Sequence, residues 1–156
     1  MNEKEKSLEE EYVTLNYNGH VYVPIRFIAQ SLGYFVHYDE EESTIELSKE
    51  ALPSHYVERV SNNIDIGASA DFIMDLLGEP QLTGPYDSHL AWRYDFLTQE
   101  NYMFHDLVPD KAGLSNGSVG AQLFLYWNTD KTLSKYEVWY TKGYDQKKKI
   151  AHIIVE

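Results

Sequence analysis

No cysteine occurs among the 156 residues, so a disulfide framework, a thiol nucleophile and a thiolate metal site are excluded, although this absence does not choose a compartment. Basic residues are scarce. Thirteen Lys and Arg stand against 25 Asp and Glu, and the formal charge of -12 opposes a phosphate backbone, so no nucleic-acid partner is expected. No run approaches the roughly 18 apolar residues of a membrane span, and the opening MNEKEKSLEEE is the reverse of a signal peptide's basic-then-apolar start. The chain is expected to be soluble, with no membrane span. What is present is a globular balance, 43% hydrophobic and 24% charged, enough for one ordinary domain or two small ones.

Residues 1–11 hold five Glu, two Lys and a single Leu, too little apolar surface to offset ordering entropy, and read as a disordered leader. From Tyr12 the pattern changes. YVTLNY alternates, Asn18-Gly19 suits a tight hairpin turn, and HVYV forms the return strand. Pro24 opens a short helix with Ile25, Ile28, Ala29 and Leu32 on one face, and Gly33 supplies its left-handed end. YFVHYD and STIELS then read as a second hairpin, its acidic turn from Asp39 to Glu42 solvated rather than a calcium loop, because the spaced ligands and glycine are missing. The stretch VTLNYNGHVYVPIRFIAQSLGYFVHYDEEESTIELS resembles the copper amine oxidase N-terminal-like stalk domain over residues 12–48. The resemblance rests on the Asn-Gly-His hairpin, the VYVPIRFIAQSLG core and the strand pair after it. It implies an accessory module of secreted, usually Gram-positive, bacterial cell-surface proteins, carrying none of the oxidase's catalytic residues.

Residues 49–54 (KEALPS) read as a connector, with Ser54 a candidate cap for a short helix over HYVERVSN. Ser69 fits the N-cap of a second helix, ADFIMDLL, which Gly78 and Pro80 end. The period then shifts to two. HLAWRYDF groups Trp92, Tyr94 and Phe96, AQLFLYW groups Leu123, Leu125 and Trp127, and LSKYEVWY and KIAHIIV alternate likewise. Between the first two strands, VPDKAGLSNGSVG reads as a long mobile loop. Residues 54–156 are similar to the SmpA/OmlA (BamE-like) outer-membrane lipoprotein family and the related β-lactamase-inhibitor-like fold. The likeness is carried by Gly67, the LGEP exit from Leu77 to Pro80 and the strand beginning WRY. It implies a non-enzymatic domain that binds proteins through sheet and loop surfaces.

Little in the chain points to catalysis. The six histidines, at 20, 37, 55, 89, 105 and 152, show no metal-ligand spacing, and His105-Asp106 are neighbours that a strand would point to opposite faces. There is no GxSxG elbow and no phosphate-binding glycine pattern, and Ser115 and Ser118 fit ordinary turn chemistry. No catalytic residue, metal ligand or cofactor is assigned. The Lys147–Lys149 run reads as a solvated strand end.

Aromatic loading stands out: 13 Tyr, 3 Trp and 6 Phe. In KYEVWY, Tyr136, Val138 and Tyr140 share one face while Lys135, Glu137 and Trp139 share the other, and two short helices cannot bury both. Tyr136, Trp139, Tyr140 and Tyr144 are the candidate contact residues, with Trp139 expected to be the exposed one. The expectation is an α+β chain: a small hairpin-helix-hairpin unit, then two short helices packed on an antiparallel β-meander. Its expected role is a non-enzymatic, extracellular or surface-attached module that binds a protein or cell-wall polymer, export being implied by the resemblances. One alternative is an envelope enzyme or metal-dependent small-ligand protein with a site between the two units, signalled by an enclosed pocket holding His89 or His105 with carboxylates. Another is an inhibitor-like protein.

Overall fold

A computed structural model describes residues 13–39, 43–142 and 149–156. The expected leader, Tyr144, most of the acidic turn and most of the lysine run lie outside them. The chain divides into two compact units, with the boundary between Ala51 and Leu52.

The first unit follows its turn chemistry. Strands β1 (Leu15–Tyr17) and β2 (His20–Tyr22) pair antiparallel around Asn18 and Gly19, whose φ angles of 50° and 77° are those a tight primed turn requires. Helix α1 (Ile25–Ser31) follows Pro24, and β3 (Phe35–Asp39) pairs with β4 (Thr44–Ser48). Ala29 and Val36 are its buried apolar residues, and the Arg26 guanidinium donates to the Val36 carbonyl at 3.0 Å.

The second unit begins earlier than the connector reading expects. Pro53 and Ser54 lie inside α2 (Pro53–Asn63), and the capping is done by His55, whose Nδ1 accepts the Leu52 N–H at 2.8 Å. Proline is tolerated there because the first turn's N–H groups have no intrahelical partner. Ser69 caps α3 (Ala70–Leu77) by accepting the Phe72 N–H, and Gly78 ends it. Five strands follow, β5 (Leu82–Tyr86), β6 (His89–Phe96), β7 (Ala121–Trp127), β8 (Leu133–Lys142) and β9 (Lys149–Val155), each antiparallel to the next in chain order. The architecture is thus α+β, with short hairpins, short helices and a five-stranded meander. Strand β5 goes beyond the sequence reading. Its Gly84-Pro85 pair argues against a strand, but β5 is an edge, where a missing N–H costs no ladder bond.

Helices α2 and α3 cover one face of the sheet. Val57, Val60, Ile64 and Ile73 pack there with Tyr94, Leu123, Leu125, Trp127, Tyr136 and Val138. The opposite face is covered as well. The segment expected to be a mobile loop contains α4 (Lys111–Asn116), capped at one end by Asp110 and turned out at the other by Gly117 at φ 80°. With both faces covered, every residue of the central strand β7 is buried. Among the described residues, no helix is long and apolar enough to cross a membrane.

Candidate functional site

Beneath residues 97–120 lies a buried polar network on the face of the sheet away from the helices. Arg93, 2% exposed, points from β6 away from the helices, and its guanidinium donates to Asp95 Oδ2 through Nε (3.2 Å) and Nη2 (2.9 Å). It also donates to the carbonyls of Phe104 (2.7 Å) and Asp106, and stacks over the Phe104 ring. Gln122, fully buried on β7, donates to Asp95 Oδ1 at 2.7 Å and accepts the Asp110 N–H at 2.7 Å. Asp110 in turn accepts from the Gly113 N–H and the Tyr102 hydroxyl. Burial, then the carboxylates of Asp95 and Asp110, push the Tyr102 hydroxyl well above its ordinary range. Each buried charge here is satisfied, and the bonds from Arg93 to the Phe104 and Asp106 carbonyls and from the Asp110 N–H to Gln122 tie the covering segment to the sheet. This is the arrangement of an internal clamp rather than of a reacting centre.

Beside the clamp, towards β9, the same face carries a row of half-buried and exposed groups. Trp139 stacks on His152 with ring centroids 3.8 Å apart, and Lys111 from α4 lies over the indole at 5.1 Å. Glu137 is the hub: it accepts from Trp139 Nε1 (3.3 Å), lies 3.0 Å from His152 Nε2 and pairs with Lys135 at 2.9 Å. Burial works to raise the Glu137 pKa, but the hydrogen bonds from Lys135, Trp139 and His152 outweigh it and hold the carboxyl below its usual range. Lys135 is held above its usual range, first by its hydrogen bond to Glu137. Lys135 also lies over Tyr126, which packs against Tyr86. Ile154 ends the row at 50% exposure. The rings are fixed on both sides and keep polar tips, which suits them to hold a contact surface in one geometry.

The sequence-based candidates separate on this scaffold. Tyr136 is 3% exposed in the helix-side core, so it is not part of any open face. Tyr140 is half-buried and packs against the same core. Trp139 is on the opposite face with Lys135 and Glu137, as the alternation requires, but it is half-buried rather than open because α4 reaches it through Lys111. Tyr144 lies outside the described residues. His89 is exposed at the start of β6 beside Ser88, and His105 and Asp106 are exposed on an open groove with Tyr86 and Leu107. These histidines share no enclosed pocket. Among the described residues, no three His, Asp or Glu side chains gather as a metal-ion site. Sequence reasoning passed over Gln122 and the Arg93–Asp95 pair. The available signals were a lone amide inside an apolar strand, and the Asp110 to Gly117 spacing of cap and stop around KAGLSN.

No curated protein and no solved structure matches the chain. Residues 1–51 match the family described as the copper amine oxidase N-terminal domain, a non-catalytic, stalk-like module, so the first unit carries that family's pattern through its whole length.

Proposed function

We propose that the chain is a non-enzymatic binding or scaffolding module of a bacterial cell surface, secreted or surface-attached, in which a stalk-like unit accompanies a BamE-like unit that contacts a protein partner. The match of residues 1–51 to a non-catalytic domain supports the accessory character. The order of two helices before an antiparallel meander supports the likeness of the second unit to BamE-like and β-lactamase-inhibitor-like folds, which implies recognition through a sheet and its loops.

The observation that carries the reading is the clamped row of Trp139, His152, Glu137 and Lys135 with the exposed Ile154 beside it. Aromatic anchors flanked by charges of both signs favour a protein over a uniformly charged polymer. The test compares Trp139→Ala with Tyr140→Ala for thermal stability and for capture of partners from a cell-surface extract. Both residues are half-buried, so each truncation costs roughly half of the 3 to 5 kcal/mol typical of a buried large aromatic, about 2 kcal/mol. Trp139→Ala additionally weakens capture by more than about 1 kcal/mol, whereas Tyr140→Ala does not. Equal destabilisation with no loss of capture from either would return both residues to a purely structural role.

A further inference from the structure

A second concavity lies away from the Trp139 row, at the other end of β6 and β7. The N-terminal half of α3 supplies Ala70, Asp71 and Met74, the strands supply Leu90, Trp92 and Trp127, and the β5–β6 and β7–β8 turns supply Ser88, Asn128, Thr129 and Lys131. Its volume is about 510 Å³, within the range of small-ligand sites. The floor is aromatic, the Trp92 and Trp127 rings lying 4.5 Å apart at 56°.

Two features of the groove point to a ligand. Trp127 is 2% exposed, with its indole N–H buried and without a hydrogen-bond partner among the described residues, so it backs the half-buried Trp92 ring, which is the aromatic face open to a ligand. The polar rim is also held ready. Asn128 is fixed by its amide donating to Thr132 Oγ1 and by its backbone N–H donating to the Thr132 carbonyl, while the Lys131 carbonyl accepts the Ala70 N–H and so ties the turn to α3. Asp71 and Lys131 are exposed on this rim and make no ion pair among the described residues.

The chemistry narrows the occupant. An anion would face Asp71, and a cation would face Lys131. A purely apolar group would bury the polar rim without answering it. A peptide strand has no edge to join, because β6 and β7 are interior strands of the sheet. A neutral polyhydroxylated ring fits the open groups: its C–H face lies on the half-buried Trp92 indole, and its hydroxyls both donate to the Asp71 carboxylate and accept from the N–H donors of Asn128 and Lys131. We propose that the Trp92–Trp127 groove is a carbohydrate-binding subsite that stacks one face of a neutral sugar ring and hydrogen-bonds its hydroxyls through Asp71, Asn128 and Lys131.

The test titrates the full chain with cellotriose, chitotriose and maltotriose, following the three Trp indole N–H signals by NMR. The expected result is saturable movement of the Trp127 and Trp92 signals by at least one of the sugars, with Trp139 unmoved, at a Kd of about 1 mM or tighter. Because Trp92 also packs against the core, the deciding variants are the exposed Asp71→Asn and Lys131→Ala, which should fold as wild type and together bind about tenfold more weakly. Two results overturn the proposal: no movement with any of the sugars, or equal binding by the Asp71→Asn/Lys131→Ala variant. Movement of these signals by an unrelated apolar peptide, and not by the sugars, would also overturn it.

Discussion

Replacing Arg93 with methionine keeps the length of the side chain and removes its charge and five donors. The change leaves the Asp95 carboxylate, 3% exposed, with Gln122 as its remaining side-chain donor, and it strips the carbonyls of Phe104 and Asp106 of their guanidinium partner. Breaking a buried pair from one side costs about 3 to 5 kcal/mol, because the surviving charge has lost its compensation. Each orphaned carbonyl adds about 1 to 3 kcal/mol where water cannot reach it, so the upper end of that range is expected. Since whole domains are stable by only about 5 to 15 kcal/mol, the variant should sit near its unfolding threshold at room temperature. Urea unfolding followed by tryptophan fluorescence measures the loss. The companion is Arg93→Met with Asp95→Leu, which removes the stranded charge and should recover about 1 to 3 kcal/mol of the deficit, leaving the carbonyl cost behind. A single variant within about 1 kcal/mol of wild type, or a double variant no more stable than the single, would refute the account of this network as a satisfied buried clamp.

Gly113→Ala should destabilise the segment over the sheet selectively, because a Cβ there would collide with the Asp110 carboxylate and lie 3.2 Å from Val119 Cγ1. Hydrogen exchange in residues 104–119 should rise well before exchange in β7 does. Limited proteolysis of the wild-type chain should cut residues 111–116 only as slowly as the second unit unfolds, since Gly113 and Leu114 are buried; rapid nicking there would contradict the packing. Burial raises the Tyr94 hydroxyl to about 12 and also raises Tyr102 and Tyr126. Folded values above the unfolded one mean that stability is full below about pH 10 and falls as pH rises beyond it. A tyrosinate absorbance titration should therefore show a late fraction that ionises together with loss of the fold. Glu137 has the opposite sign: its lowered folded pKa contributes stability above the ordinary carboxylate range that is lost as pH falls below it. The stability gap between wild type and Glu137→Gln should accordingly narrow on acidification below about pH 4.5, measured as urea midpoints.

Local chemistry was readable wherever the residue itself carries the constraint. Asn18-Gly19 forces a turn, Ser69 and Gly78 bracket a helix, and the alternation of Lys135 to Tyr140 assigns its faces. What escaped depends on partners far along the chain. Gly84-Pro85 looks like an interruption until its strand is seen to lie at an edge, and KAGLSN looks like loop composition until Asp110 caps it and Leu114 is buried. Trp139 reads as open on its own strand, and only the arrival of Lys111 closes over it. The clamp was the least legible of all, since Arg93, Tyr102, Asp110 and Gln122 come from separate segments whose meeting no short motif records. The aromatic groove likewise joins a helix start to two turns.

The meander pairs each strand with its neighbour in sequence, and residues 97–120 are its longest excursion between described strands. Phe96 and Ala121 are nonetheless direct partners in the ladder, so the chain leaves the sheet and returns to the same place. In kinetic terms this splits assembly into a local β5–β6 hairpin and a β7–β8–β9 part, with the join between them bearing the largest loop-closure entropy. The clamp closes that loop from inside. Arg93 and Asp95 leave with the outgoing strand, Gln122 arrives with the returning one, and their contact forms only when both parts are in register. A slip of one residue between these strands would put Arg93 and Asp95 on the face opposite Gln122, turning either the ion pair or the amide to the helix side, among Ile73 and Val60, and separating Asp95 from Gln122. The polar trio therefore acts as a register key: it makes the misaligned sheet costly at the step where the folding chain has most freedom to misalign.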